Sequence, residues 1–143
     1  MDTEELIFKS IESDKDVAST LHFLERILSH KIDHKIWEWE FNSFPKETIL
    51  TIINNNSETV GTQFMLPIKL NLAGKEGLSG KCENSYFDDK YRGQGLFQRL
   101  FEFASDVSLK KNMKFLWAFT PAIKVYENKL GFSVFSNPLS VSW

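Results

Sequence analysis

The sequence predicts an α/β fold of the α+β kind, a mixed and mostly antiparallel sheet with helices on both faces. Two observations lead there. The elements run in the order strand, helices, three strands, then strand, helix and strand, which suits a sheet covered by helices. The strand before a glycine-paired turn and the apolar strand at residues 115–120 are joined by a helix, so they should run parallel, while the other, shorter connections favour antiparallel neighbours. A chain of 143 residues is long enough for one domain with a real core, residues 1–143, and short for two.

Taken in order, residues 6–8 form a short apolar strand. Ser13 followed by Asp16 resembles a capping box, ahead of Val17, Leu21, Leu24 and Leu28 on one helical face. Residues 32–41 read two ways: Ile32, Ile36 and Trp39 suit a helix, whereas Trp37, Trp39 and Phe41 alternate as a strand would. A helix ending near Asn42, before Pro45, is the preferred reading. Residues 48–53 are β-branched, and the NNNSE turn at 54–58 joins them to an extended run over 59–72 in a hairpin. Pro67 cannot donate to a ladder, so its strand is bent, bulged or at an edge there. AGKEG at 73–77 turns the chain into a strand over 78–87. After the glycine turn, a helix places Leu96, Leu100, Phe103 and Val107 on its apolar face. FLWAFT at 115–120 reads as a central strand covered on both sides. Pro121 suits the first turn of a helix over 122–129 that Gly131 closes, and residues 132–135 and 139–143 make two final short strands.

Composition excludes several classes. The formal net charge is -2 and the basic residues are scattered, which leaves no electrostatic footprint for nucleic acid or acidic lipid. The first residues are acidic and contain no long apolar segment, so neither signal peptide nor membrane span is expected and a cytoplasmic location is the default. Cys82 is the only cysteine, which rules out an internal disulfide and a cysteine-rich metal site. It reads as a small buried apolar residue, because no neighbour would activate its thiol. His22, His30 and His34 show no spacing to a Cys or Asp set that suggests metal; His30 and His34, four apart, could form a surface metal pair but read first as exposed helix histidines, and no metal is expected.

The chemistry concentrates in DDKYRGQGLFQRL, residues 88–100. Gly93 and Gly95 can adopt backbone angles closed to other residues, so successive amides can converge on an anion with no Cβ in the way. The helix that follows adds unpaired N–H groups and the positive end of its dipole at the same point. A pyrophosphate suits such a cradle. There is no Lys-Ser or Lys-Thr after the glycines and no GxGxxG fingerprint, which sets aside the two commonest phosphate loops.

Downstream stand the apolar strand, Pro121 and the helix AIKVYENKLGF. Here the sequence resembles the GNAT superfamily of acyl-CoA-dependent N-acyltransferases. Arg92-Gly93-Gln94-Gly95 matches the first four positions of that family's Q/R-x-x-G-x-G/A pyrophosphate motif, and FDDKY before it looks like the end of the fourth strand. Tyr126 with Leu130, Gly131 and Phe132 reads like the family's tyrosine and Leu-Gly-Phe segment, and Ala122 falls where an alanine usually precedes that tyrosine. The resemblance spans roughly residues 79–135. HKIWEWEFNSFP followed by a hairpin also looks like a subgroup linked to acylation of sugars or cell-surface polysaccharide.

The resemblance implies acetyl-CoA as acyl donor. Its pyrophosphate would lie on Arg92, Gly93, Gln94, Gly95, Leu96, Phe97 and Gln98, and its pantetheine would pair along Ser85, Tyr86 and Phe87. A neutral amine would attack the thioester directly, with strand amides near Tyr86 and Phe87 polarising the carbonyl. Tyr126 is implied as the donor of a proton to the departing thiolate. Glu83 is the first candidate for general base, with Glu38 and Glu40 behind it, and water is the alternative route. The acceptor is a small-molecule primary amine, an amino sugar among the candidates, and Trp37, Trp39 and Phe41 could stack on a sugar face or simply pack. Three departures stand out. Phe97 replaces the usual Gly or Ala, Phe119 stands where many members place an Asn that contacts CoA, and the segment after Gly131 is short. The acceptor pocket is then open or completed by a second copy, as a homodimer. The competing readings are a non-catalytic acyl-CoA-binding or protein-interaction domain, and a structural domain whose glycine turn serves geometry alone.

Overall fold

A computed structural model describes residues 5–134. The first strand, β1 (Leu6–Ser10), leads into helix α1 (Asp14–Leu28). The local chemistry of that junction is a capping box with an added cation. Ser13 Oγ accepts the Asp16 N–H at 3.1 Å, and Asp16 Oδ2 accepts the Glu12 N–H at 3.1 Å and pairs with Lys9 Nζ at 2.9 Å. Burial alone would raise the Asp16 carboxyl, but Lys9 and the hydrogen bonds outweigh it and hold the group below its ordinary 3.8. A depressed carboxyl contributes stability that is complete above its unfolded value and is lost as pH falls through the lower folded one. Asp16→Asn is therefore expected to cost about 1 kcal/mol at pH 7, read as a lower urea midpoint, and the gap to wild type should close in acid as the pH falls through the lowered folded value. A gap that persists unchanged in acid would remove charge from the explanation.

Helix α2 (His34–Ser43) starts at Asp33, whose Oδ1 accepts the N–H groups of Lys35 and Ile36 at 2.9 and 3.1 Å. The helical reading of this segment is thus correct. Strands β2 (Ile49–Asn55), β3 (Glu58–Leu72) and β4 (Lys75–Phe87) follow as two hairpins. Their turns are two-residue and left-handed, Asn56-Ser57 at φ 49° and 70° and Ala73-Gly74 at φ 51° and 81°, the geometry that matches strand twist. Gly77 belongs to β4 rather than to the turn. Pro67 lies beyond the β2 ladder, which ends at Ile49 opposite Met65, so its missing N–H removes no bond to β2.

A single 3-10 turn (Asp89–Tyr91) precedes α3 (Leu96–Lys110), β5 (Phe115–Trp117) and α4 (Ile123–Leu130). The sheet order is β1-β2-β3-β4-β5, antiparallel except for the β4–β5 pair. That bears out the mixed, mostly antiparallel sheet. Alternation along the strands divides the core. Ile49, Ile53, Met65 and Cys82 face α3 and α4, while Ile52 and Phe64 face Leu21, Phe23, Leu24 and Trp37 of α1 and α2.

Three expectations are corrected. The buried stripe of α3 is Leu96, Leu100, Ala104 and Ser108 with Phe101 beside it, and Phe103 and Val107 are only partly covered. The strand is shorter than the apolar run at 115–120: among the described residues β5 has three residues and pairs with Ser79–Lys81 of β4. An apolar run signals burial, but Phe119 lies past the strand and is 68% exposed. Residues 132–134 are not a strand, and the strand expected at 139–143 lies outside the described residues.

Candidate active site

The site begins where β4 loses its neighbour. β5 pairs with β4 at Ser79, Gly80 and Lys81, so among the described residues no strand pairs with the β5 side of β4 from Cys82 to Phe87. Within that stretch the β3–β4 register shifts between Thr62 and Phe64, and Asn84 takes φ 50°. This is a bulge in which Asn84 and Ser85 face Gln63. Thr62 Oγ1 donates to the Asn84 carbonyl at 2.7 Å and Thr51 Oγ1 to the Gln63 carbonyl at 2.6 Å, which pins the bulge from both neighbouring strands.

At the end of that stretch the chain is anchored before it turns. Asp88 caps the 3-10 turn and accepts from Arg26 Nη2 at 2.9 Å, and the buried Tyr91 hydroxyl accepts from Asn55 Nδ2 at 2.6 Å. Gly93 and Gly95 follow at φ 81° and 70°, and a Cβ added at either would meet no atom of the described residues within 4 Å. The bend is therefore open in front. Gly95 supplies no side-chain cap to α3, and the N–H groups of Leu96, Phe97 and Gln98 have no intrahelical acceptor. Uncapped donors, a helix dipole and free space coincide at one point, which is the chemistry of an anion site.

Beside that stretch of β4 stands Tyr126 of α4. It is buried among the rings of Phe97, Phe101 and Phe132, with centroids 6.1, 6.0 and 5.1 Å away, and its hydroxyl lies 3.5 Å from Ser85 Oγ. Burial first of all raises its pKa above the ordinary 10.0, the Cys82 and Glu83 charges add to it, and only a proton donated by the Ser85 hydroxyl would oppose it. The phenol stays protonated at neutral pH. Cys82 is buried and pushed up to about 12 by burial first and Glu83 second, in keeping with an inert packing residue.

Residues 17–132 match the acetyltransferase (GNAT) family model. The chain belongs to the GNAT acetyltransferase family. It is an enzyme of the N-acyltransferase type. Its fold is that of glucosamine-6-phosphate N-acetyltransferase from Arabidopsis thaliana, at 17% identity and TM-score 0.77, covering 98% of this chain and 99% of the other. A predicted acetyltransferase from Clostridium acetobutylicum, determined with acetyl-CoA, aligns at 19% identity and TM-score 0.79 over 96% of each chain. The aminoglycoside antibiotic 6'-N-acetyltransferase AAC(6')-IG from Acinetobacter haemolyticus aligns at 13% and 0.73, over 96% of this chain and 97% of that one. No curated protein matches this chain by sequence.

Against the GNAT pattern, the residues singled out from sequence fall into two groups. Ser85, Phe87, Phe97 and Tyr126 come together on the α3 side of β4: the Phe87 and Phe97 rings are 5.6 Å apart. Phe97, the departure from Gly or Ala, thus packs its ring inward behind the bend. Tyr86 packs on the opposite face with the α1–α2 core. Arg92 and Gln98 turn their side chains to Asp89 at 2.7 Å and Glu102 at 3.2 Å, so any role in the cradle falls to their backbone.

Glu83 is in register with Phe64 on the α1–α2 face and pairs with Lys81 Nζ at 2.5 Å. Glu38 and Glu40 are exposed on α2, and Glu38 borders a groove of about 580 Å³ between α1 and α2. The aromatic set assumed for the acceptor is split: Trp37 and the partly buried Phe41 meet at 4.5 Å with their rings tilted by 53° against the α1–α2 core, whereas Trp39 is 67% exposed. Helical spacing separates position 39 from 37 and 41 by about half a turn. Phe119, in place of Asn, lies edge-on to Trp117 at 5.5 Å with Lys81 Nζ 5.9 Å from its centroid. Sequence reasoning passed over Gln63, Thr62 and Asn84; the only local signal was an Asn inside a strand, a residue tolerant of left-handed geometry. No helix among the described residues is long and apolar enough to cross a membrane.

Proposed function

We propose that this chain moves an acetyl group from acetyl-CoA to the primary amine of a small molecule, an amino sugar first among them, by direct attack in a ternary complex. The observation that carries the reading is the row of features along one edge: the bend at Gly93 and Gly95 and the side of β4 beyond Lys81, both open among the described residues, and beside them the buried phenol of Tyr126. Acetyl-CoA, when bound, supplies an activated acyl group. The amides from Gly93 to Gln98 suit its pyrophosphate, with Arg92 contributing backbone, and the edge at Ser85, Tyr86 and Phe87 suits its peptide-like arm.

Two side chains divide the proton work. Glu83 takes a proton from the attacking amine on the α1–α2 face once its contact with Lys81 opens, and Tyr126 Oη gives one to the departing sulfur on the α3 face. The amine nitrogen forms the new bond to the acyl carbon as the carbon–sulfur bond breaks. Amino sugars are favoured because the solved relatives named above include N-acetyltransferases of glucosamine-6-phosphate and of aminoglycosides. The same proposal takes residues 1–143 as one domain working in the cytoplasm, alone or as a homodimer.

Calorimetric titration with acetyl-CoA, followed by thiol release across a panel of amino sugars and other amines, tests it. Saturable binding with release driven by amino sugars is the expected result. Binding with release driven only by other amines would sink the substrate class, and no binding would sink the cradle.

A further inference from the structure

Gln63 is a polar side chain with 1% of its surface exposed, in the middle of a sheet. Burying an amide without purpose is costly, so its partners are informative. Its Nε2 donates to the Phe64 carbonyl at 3.0 Å, and that bond fixes which end of the amide is which. Oε1 then faces Ser85 and can only accept, so the Ser85 hydroxyl donates to it in a short contact. With its proton committed, Ser85 Oγ offers only lone pairs to the Tyr126 hydroxyl 3.5 Å away. The direction of the chain follows from the amide: Tyr126 donates, Ser85 passes the polarity on, and Gln63 terminates it.

We infer that Gln63 is a positioning residue for acyl transfer: through Ser85 it holds the Tyr126 hydroxyl as a proton donor and keeps Ser85 from stabilising the phenolate. The inference deepens the proposed acid role of Tyr126 and its importance for turnover rests on that role. Ser85 can turn to donate to an ionised Tyr126 only by abandoning the buried Gln63 oxygen, so Gln63 competes for the one proton that would favour ionisation. The ionisable groups acting on Tyr126 are Cys82 and Glu83 of β4. Helix α3 and the segment after α4 meet it with the rings of Phe97, Phe101 and Phe132. Among the described residues Ser85 is thus the hydrogen-bonding side chain beside the Tyr126 hydroxyl, and Gln63 sets its direction.

The test is a tyrosine ultraviolet titration of the free protein, with the Tyr126 signal isolated by difference from the same protein carrying Tyr126→Phe. Gln63→Met, close in shape and lacking the amide, should lower the Tyr126 midpoint by about one pH unit. Gln63→Glu, which keeps an acceptor, should not lower it, and Ser85→Ala should abolish the effect of Gln63→Met. A purely structural role would not give opposite outcomes for Met and Glu. In turnover, Gln63→Met should lower kcat about tenfold with KM for acetyl-CoA unchanged. An unchanged midpoint in Gln63→Met, or an equal fall in Gln63→Glu, overturns the inference. Because the titration needs no substrate, its expected shift supports the network even if Tyr126→Phe leaves turnover intact, a result that would instead strike the acid assignment.

Discussion

Tyr126→Phe is expected to lower kcat about 100-fold while leaving the KM for acetyl-CoA within about threefold of wild type. The reasoning separates what the ring does from what the hydroxyl does. The ring fills space against Phe97, Phe101 and Phe132, and phenylalanine fills it equally well, so the fold and the cradle at Gly95 should survive. The hydroxyl is the only part removed, and with it the proton that burial holds on the oxygen. A thiolate leaving without that proton is a poorer leaving group, so the loss should appear in single-turnover thiol release rather than in binding. Equal losses in kcat and in acetyl-CoA affinity would remove Tyr126 from the chemistry.

Gly95→Val should weaken CoA binding at least about tenfold, the equivalent of 1.4 kcal/mol. Position 95 holds φ 70° with open space in front of it. A β-branched residue is strained there by about 1–2 kcal/mol, and its side chain would project into the volume that an anion needs. The control is Gly74→Val in the β3–β4 turn, which carries the same kind of strain at φ 81° and also meets nothing within 4 Å. Calorimetry should show CoA affinity unchanged in that variant. Wild-type affinity in Gly95→Val would place the pyrophosphate elsewhere.

What was legible in the sequence was what depends on neighbours in the chain. Gly93 and Gly95 announce their backbone angles, Ser13 and Asp16 announce a helix start, and Asn56-Ser57 announces a tight hairpin, because each requirement is met within a few residues. The partners of Gln63 were not legible. Whether residue 63 meets Ser85 depends on the register across two strands and on a bulge that shifts it, and a one-residue slip would turn it to the other face. The same limit explains β5. An apolar run of that length says that the segment avoids water, but where its pairing stops was set by the early departure of the chain toward α4. For α2 the ambiguity was one of period, and the choice between 3.6 and 2 decided whether Trp39 shared a surface with Trp37.

A sheet is ordinarily a partition, with whatever binds one side shut off from the other. Where β4 and β5 diverge after Lys81, that partition has a window, with Ser85 and Tyr126 on one sill and Glu83 on the other. Two molecules arriving from opposite directions would need no common doorway, and neither would have to leave before the next could enter. On the proposed ternary-complex reaction, a strand whose described pairing stops early would let a small protein host two guests at once.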